Sequence, residues 1–195
     1  MTPRALDVIR DEHRALAGML TALRTLVRDV VAGRAKPDFA LLRSIVFYVH
    51  AFPERLHHPK ESDLLFRALR ERGAPASATL DRLDADHARG EEAVMRLEMA
   101  LLEYEQLGES RRDAFAGAVE AYVDAYLRHM ELEEREVLPM AARLLGEDDW
   151  RAIDAAFARN RDPLTGHEPE QPYRALFTRI VAHAPAPIGL GPAAR

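Results

Sequence analysis

The chain has 195 residues, of which 48% are hydrophobic and 30% are charged, and its net charge is −5; these values are typical of a soluble, helix-rich protein with one main domain. It has no cysteine, so disulfides, thiolate metal ligands and cysteine nucleophiles are excluded. Acidic and basic residues are interspersed, the N-terminus is too charged for a secretory signal and no apolar run approaches a membrane span, so we expect a cytoplasmic protein with no nucleic-acid or membrane partner.

Four long segments have apolar residues at the spacing of an amphipathic helix. The predicted helices cover about residues 3–32, 38–72, 76–107 and 110–145. Asp38 and Ser110 are suitable N-cap residues, and a glycine follows each segment. Short connections between long helices favour antiparallel neighbours. The predicted fold is therefore all-α: an up-down-up-down antiparallel four-helix bundle with additional short C-terminal helices.

The sequence changes in character after residue 146. "EDDWRAIDAAFARN" and "YRALFTRIVAH" predict two short amphipathic helices, which are separated by the loop "RDPLTGHEPEQP" and followed by an irregular tail. We therefore divide the chain into a bundle at residues 1–146 and a helical extension at residues 147–195. We expect the extension to pack on the outside of the bundle or across one of its ends.

Each predicted bundle helix has a histidine on its apolar stripe. These histidines are His13, His57, His87 and His129. In the second and fourth helices a glutamate follows four residues later, so that Glu61 shares a helix face with His57 and Glu133 shares one with His129. A single histidine on an apolar face is most often a hydrogen-bonded core residue. A buried glutamate, however, needs an ionic partner or a metal.

The six side chains also lie at similar depths in the predicted bundle. With a rise of about 1.5 Å per residue, they fall about 15–24 Å from the same end. Four imidazoles and two carboxylates without sulfur suit iron, and suit manganese or zinc less well. Because two glutamates can bridge two ions, we predict a two-metal site with open positions that small molecules such as oxygen, peroxide or nitric oxide could reach.

The stretch "RLHHPKESDLLF" contains a second histidine next to the first. His58 could replace His57 as the ligand if Pro59 shifts the helical phase, although only His57 has the i, i+4 relation with Glu61. Pro59 and Pro53 each remove a backbone donor, so we expect a bent helix here.

Other polar residues near these positions have simpler interpretations. Tyr122 and Tyr126 lie on the ligand face and are expected to pack in the core, although Tyr126 could donate a hydrogen bond near the metals. His50 lies about 10 Å from His57 along the axis and is expected to be solvated or to lie behind the site. The residues interpreted as a solvated acidic face are Glu131, Glu134 and Glu136.

Together these motifs resemble the hemerythrin-like (HHE cation-binding) family, especially its bacterial members. His13, "HHPKE", His87 and "HMELEEREVLP" form the pattern H…HxxxE…H…HxxxE within about residues 3–145. The segment "WRAIDAAFARNRDPLTG" is similar to a C-terminal extension that some members have.

The resemblance implies a non-haem di-iron centre with an oxo or hydroxo bridge. The two glutamates would bridge both irons. The four histidines would divide into two pairs, with His57 and His87 on one iron and His13 and His129 on the other.

One position departs from the pattern of the oxygen-carrying members. These have a fifth histidine one turn after the first histidine of the third helix, where this chain has Glu91. An extra carboxylate ligand or a more open metal position would favour redox chemistry over reversible oxygen carriage. We therefore expect a protein that binds or reacts with oxygen, peroxide or nitric oxide, with peroxide decomposition as one activity to test. The alternatives are an iron or oxygen sensor that acts through a partner protein without turnover, and a metal-free structural bundle.

Overall fold

The computed structural model of the chain describes residues 3–186 and 188–191. Its long helices are α1 (Arg4–Val31), α2 (39–71), α3 (Ser77–Leu107) and α4 (112–144). No strand occurs within the described residues, so the predicted all-α bundle is confirmed. Among these residues we find no helix whose length and hydropathy would allow it to cross a bilayer.

The apolar core consists of two layers, one on each side of a polar layer. The first layer contains the early turns of α1 and α3 and the late turns of α2 and α4; it includes Leu6, Ile9, Phe66, Leu83 and Val137. The second layer contains the opposite halves of the same helices; it includes Leu20, Leu23, Ile45, Leu97 and Val119. This alternation is the arrangement of an antiparallel bundle, in which neighbouring helices run in opposite directions.

One of the two predicted helix caps is correct. The Asp38 side chain accepts a hydrogen bond from the Leu41 amide at 2.9 Å, so it caps the start of α2. Ser110, in contrast, lies within a 3₁₀ turn (Gly108–Arg111), and α4 begins only after that turn. Its hydroxyl donates back to the carbonyl of the last residue of α3 instead of accepting from an α4 amide, so the predicted Ser110 cap is wrong.

Two of the bundle helices contain π-helical turns. They occur in α2 at His50–His57 and at Glu61–Phe66, and in α4 at Glu133–Val137. The first and the last of these turns end two residues before Pro59 and Pro139. Proline has no amide to donate to the helix, and a π-turn re-pairs the neighbouring amides with carbonyls five residues back. The irregularity that the prolines predicted in α2 thus takes the form of wider turns.

Two short helices follow the bundle, as predicted: α5 (Glu147–Phe157) and α6 (Arg174–His183). Ile153 of α5 is buried in the first apolar layer, and Phe177 of α6 is buried in the second. Both helices therefore pack on the bundle. The division of the chain into two units at residue 146 stays a prediction.

The connection between α5 and α6 is more ordered than a plain loop. It contains two 3₁₀ turns, Pro163–Thr165 and Gln171–Tyr173, and it buries Asn160 and Asp162. The predicted irregular tail has turns in its described part, and its remainder, residues 187 and 192–195, lies outside the described residues.

Candidate metal centre

The polar layer of the bundle brings together seven side chains that can bind a metal. They are His13, His57, His58, Glu61, His87, His129 and Glu133. The two glutamates of this set are 0% exposed. The side chain of His87 is 7% exposed. All six sequence-predicted side chains therefore lie in one layer, together with the second histidine of "HHPKE".

The first group of potential ligands lies between α1 and α2. Ligand atoms of His13, His57 and Glu61 lie within 4.8 Å of one another. His57 Nε2 is 3.0 Å from Glu61 Oε1, and His13 Nε2 is 3.4 Å from Glu133 Oε2. Two imidazoles and two carboxylates thus converge here.

The second group lies between α2, α3 and α4. It consists of His58, Glu61, His87 and His129, and its ligand atoms also lie within 4.8 Å of one another. The Nε2 atoms of His87 and His129 are 3.0 Å apart, and Glu61 Oε2 is 3.6 Å from His87 Nε2. His129 Nε2 lies 3.5 Å from Glu133 Oε2. Each glutamate therefore lies between the two groups, which is the position of a bridging ligand.

This grouping differs from the pairing of histidines that the resemblance implied. His57 joins His13 and not His87, while His129 joins His87 and not His13. The reason lies in α2, where a π-turn ends at His57 and directs successive side chains to different neighbours. His57 faces α1, and His58 stacks on His87 of α3 with ring centroids 4.1 Å apart. The two histidines are thus not alternatives, because both lie in the site.

Glu91, the expected additional carboxylate ligand, is not part of the site. It is exposed on α3 and belongs to neither group. The fifth imidazole comes instead from His58 on α2. Burial lowers the pKa of both His58 and His87, which keeps these imidazoles in the neutral form that binds metals.

The strongest sign that this layer binds a cation is the burial of its two glutamates without hydrogen-bond donors from the described part of the chain. Both are fully buried, and none of their four oxygens has a hydrogen-bond partner among the described residues. His57 Nε2 has none either, because its approach to Glu61 does not have hydrogen-bond geometry. A buried carboxylate without a donor is strongly destabilising unless a cation balances its charge. The residues present therefore fit a metal centre.

Without a metal, the surrounding residues stabilise the charge of one glutamate but not that of the other, as the opposite directions of their pKa shifts show. Burial, followed by the charge of Glu133, raises the pKa of Glu61. Burial also opposes ionisation of Glu133, but the nearby positive charges of His13, at 3.4 Å, and His129, at 3.5 Å, outweigh it and lower the pKa of Glu133. Burial lowers the pKa of His13, and the carboxylates of Glu133 and Glu134 outweigh that effect and raise it to about 9. A proton on His13 thus partly replaces a metal ion.

Comparison with known families agrees with this geometry. A family model described as "Hemerythrin HHE cation binding domain" matches residues 4–141. The chain belongs to this family. No curated protein and no solved structure gives a significant match to the chain. The matched residues of this HHE domain include all seven candidate metal-binding side chains and end before α5.

In the HHE domain, carboxylates outside the ligand layer accept hydrogen bonds from both histidines of the first group. His57 Nδ1 donates to Glu12 Oε2 at 2.7 Å, and His13 Nδ1 donates to Glu134 Oε1 at 3.0 Å. Such contacts fix the orientation of the ring and leave Nε2 free to bind a metal. Glu134 is exposed, as its interpretation as part of a solvated acidic face predicts, but its carboxylate also positions His13, which that interpretation did not include.

The second group of histidines has its own supporting contacts. His87 Nδ1 donates to Ser62 Oγ at 2.8 Å, and Ser62 donates its hydroxyl proton to Asp84 at 2.6 Å. His58 Nδ1 lies 3.2 Å from Glu54 Oε2. The sequence pattern does not reveal these supporting residues, although Ser62 directly follows Glu61 in the chain.

Glu54 is the centre of a buried hydrogen-bond network between α2 and α4, and α3 packs against it. Its carboxylate accepts from the hydroxyls of Tyr126 at 2.7 Å and Tyr122 at 3.0 Å. A Cβ atom added to Gly90 of α3 would lie 2.3 Å from Glu54 Oε2, so only glycine leaves room for the carboxylate. The expected hydrogen bond of Tyr126 near the site is thus present. His50, in contrast, lies four residues before Glu54 on α2 and pairs with Glu98 at 2.9 Å.

A small cavity adjoins the first ligand group. Its volume is about 20 Å³, and its lining includes His13, His57, Leu16 and Phe52. A cavity needs about 10–15 Å³ to hold one water molecule, so this one fits a water or a ligand of a few atoms. Residues 160–162, which follow α5, form part of its wall.

Proposed function

We propose that this HHE domain is a non-haem di-iron protein that binds or reacts with small molecules such as oxygen, peroxide or nitric oxide. The observation that carries the proposal is the pair of fully buried glutamates, whose four oxygens accept no hydrogen bond from any residue that the structure describes. Five imidazoles surround them, and the sequence has no cysteine that could supply a thiolate ligand. Imidazole with carboxylate suits iron, and manganese or zinc is the less favoured alternative.

The two ligand groups would offer different numbers of imidazoles to the two ions. His13 and His57 would hold one ion, and His58, His87 and His129 the other, with both glutamates between them. The cavity of about 20 Å³ is lined by His13 and His57 of the first group and by His58 of the second, so a small molecule in it would lie beside residues that would hold both ions. When bound, iron would supply the redox and Lewis-acid chemistry. The chain itself excludes bulk water through the apolar walls and limits the cavity to molecules of a few atoms.

Elemental analysis and optical spectroscopy test the proposal. The purified, reconstituted protein should contain about two irons per chain and show near-ultraviolet bands typical of an oxo-bridged ferric pair. Both should be lost in Glu133→Ala and in His87→Ala. Matched controls are Glu131→Ala and His167→Ala, which remove the same chemical groups at exposed positions and should keep the metal. A protein that takes up no metal, with variants of unchanged stability, would exclude the di-iron function.

A second candidate function is sensing of iron or oxygen through a protein partner. The observation that favours it is that Glu12, which positions His57, also accepts a hydrogen bond from Asn160 in the segment that follows α5. Loading of the site could therefore change the C-terminal extension. Steady peroxide turnover favours the reactive function. Metal-dependent protection of residues 158–165 from hydrogen exchange, without turnover, favours sensing.

A further inference from the structure

A second and larger cavity forms a groove between α3 and α4. Its volume is about 430 Å³, within the range of small-molecule sites, about 300–1,000 Å³. Small residues on the facing helices leave this space open; they are Gly90, Ala93, Ala118, Ala121 and Ala125. The inner end of the groove reaches His58, Tyr126 and His129. The groove therefore reaches the second ligand group, and it shares His58 and Tyr126 with the lining of the small cavity.

The charge of the groove is opposite to that of the chain. Its lining contains four arginines but only one carboxylate, Asp86, whereas the chain as a whole has a net charge of −5. Three of the arginines, Arg82, Arg89 and Arg96, recur at intervals of seven residues, which places them on one stripe of α3. The fourth, Arg128, comes from α4. Cationic side chains from two helices thus face one concave surface.

Two of these arginines are available to a ligand. Arg89 pairs with Asp86, and Arg96 pairs with a glutamate one turn earlier on α3. Within the part of the chain that the structure describes, neither Arg82 nor Arg128 forms an ion pair. A guanidinium without a partner presents a fork of N–H donors that matches the two oxygens of a carboxylate or phosphate.

A buried polar atom at the inner end of the groove also lacks a partner. His129 is 6% exposed, and its Nδ1 has no hydrogen-bond partner among the described residues. Asp86 also lines the groove, and its Oδ2 lies 3.7 Å from this nitrogen, which is beyond hydrogen-bond distance. This atom has almost no accessible surface, so a ligand in the groove would not touch it, and it is the arginines that indicate an anionic ligand.

We propose that this groove binds a small organic anion, with its carboxylate or phosphate group at the arginines and its body against the alanine-lined wall. Carboxylate and phosphate share the chemistry that the arginines recognise, and the local positive charge would raise the concentration of either near the groove. The ligand would lie beside the metal centre rather than in the small cavity. The inference concerns binding alone and does not depend on which metal the centre holds.

Titration calorimetry on the metal-loaded protein at about 0.15 M salt tests the proposal. The probes are succinate, glycerol phosphate and the neutral diamide of succinate. We expect saturable binding of at least one anion and none of the diamide. The anion that binds more tightly identifies the carboxylate or the phosphate as the recognised group. The absence of saturable binding up to about 10 mM of both anions, or equal binding of the diamide, overturns the proposal.

Variants locate the binding to the groove. The double variant Arg82→Gln/Arg128→Gln removes the two arginines without ion pairs and should weaken binding by about tenfold or more. Ala121→Trp fills the groove from an exposed position of α4 and should do the same without a loss of folding. The control is Arg151→Gln, an exposed arginine of α5, which should bind like the parent protein. If the control weakens binding as much as the double variant, the attraction is a property of the whole surface and the groove site is wrong.

Discussion

Asn160, the only asparagine of the chain, donates from Nδ2 to Glu12 Oε2 at 3.0 Å, across 148 positions of sequence. The same carboxylate oxygen accepts from His57 Nδ1 at 2.7 Å. A residue after α5 thus helps to position a potential metal ligand in the middle of the bundle. This contact gives the C-terminal extension a direct relation to the site.

We expect Asn160→Ala to loosen the metal centre. The substitution removes a buried donor from Glu12, which leaves the carboxylate less well held against His57. Loss of such supporting contacts lowers metal affinity by about 10- to 100-fold in other metal sites. Competition with a chelator measures the affinity. Gln106→Ala, which removes an exposed amide of α3, is the control, and equal affinities of the two variants would contradict the role of Asn160.

The bundle could be predicted from the sequence because each helix buries a continuous local pattern. The signals that predict the helices involve only neighbouring residues. They are apolar residues at the helical period, Asp38 at a helix start and Gly73 after a helix end. The common depth of the ligands also follows from helix length and direction. Six of the seven side chains that the structure brings together in the polar layer could be predicted in this way.

The rest of the site depends on contacts that no local pattern contains. A regular period of 3.6 residues makes His57 and His58 alternatives, and only the π-turns of α2 place both in the layer. Whether a proline produces a kink or a wider turn is decided by packing against other helices. Similarly, the partners of Glu12 and Glu54 come from distant parts of the chain, so their sequence neighbours carry no sign of the contact.

The inclusion of His58 in the second ligand group predicts a specific pattern of metal loss. His58→Ala should lower the metal content or the affinity for the second ion by about 10- to 100-fold, because it removes one of three imidazoles there. Glu91→Ala should bind metal like the parent protein, because Glu91 is exposed and outside both groups. Elemental analysis after dialysis against a chelator measures both. The reverse result would restore Glu91 as a ligand and remove His58.

Close packing of Gly90 against Glu54 predicts the effect of a single methyl group. In Gly90→Ala the added Cβ would lie 2.3 Å from Glu54 Oε2, and the tyrosines that hold this carboxylate restrict its movement. We expect the free energy of unfolding, measured in urea, to fall by about 1–3 kcal/mol. Gly117→Ala, with no atom within 4 Å of the added Cβ, should instead gain about 0.5–1 kcal/mol because alanine favours a helix.

A double-mutant cycle shows whether the clash is with Glu54. Glu54→Ala removes the carboxylate, so Gly90→Ala should cost much less in that background than in the parent protein. An equal cost in both backgrounds would mean that another neighbour of Gly90 is responsible.

The metal-free protein should lose stability as the pH rises from neutral. Glu133 and Glu134 of α4 raise the folded-state pKa of His13 from 6.5 to about 9, against the effects of burial and of His57 on α2. A raised pKa means that the stabilisation is complete below about pH 6.5 and disappears as the pH passes through about 9. Urea unfolding across this range measures it, with His13→Gln as the variant that should flatten the profile. An unchanged slope in His13→Gln would show that His13 does not hold this proton.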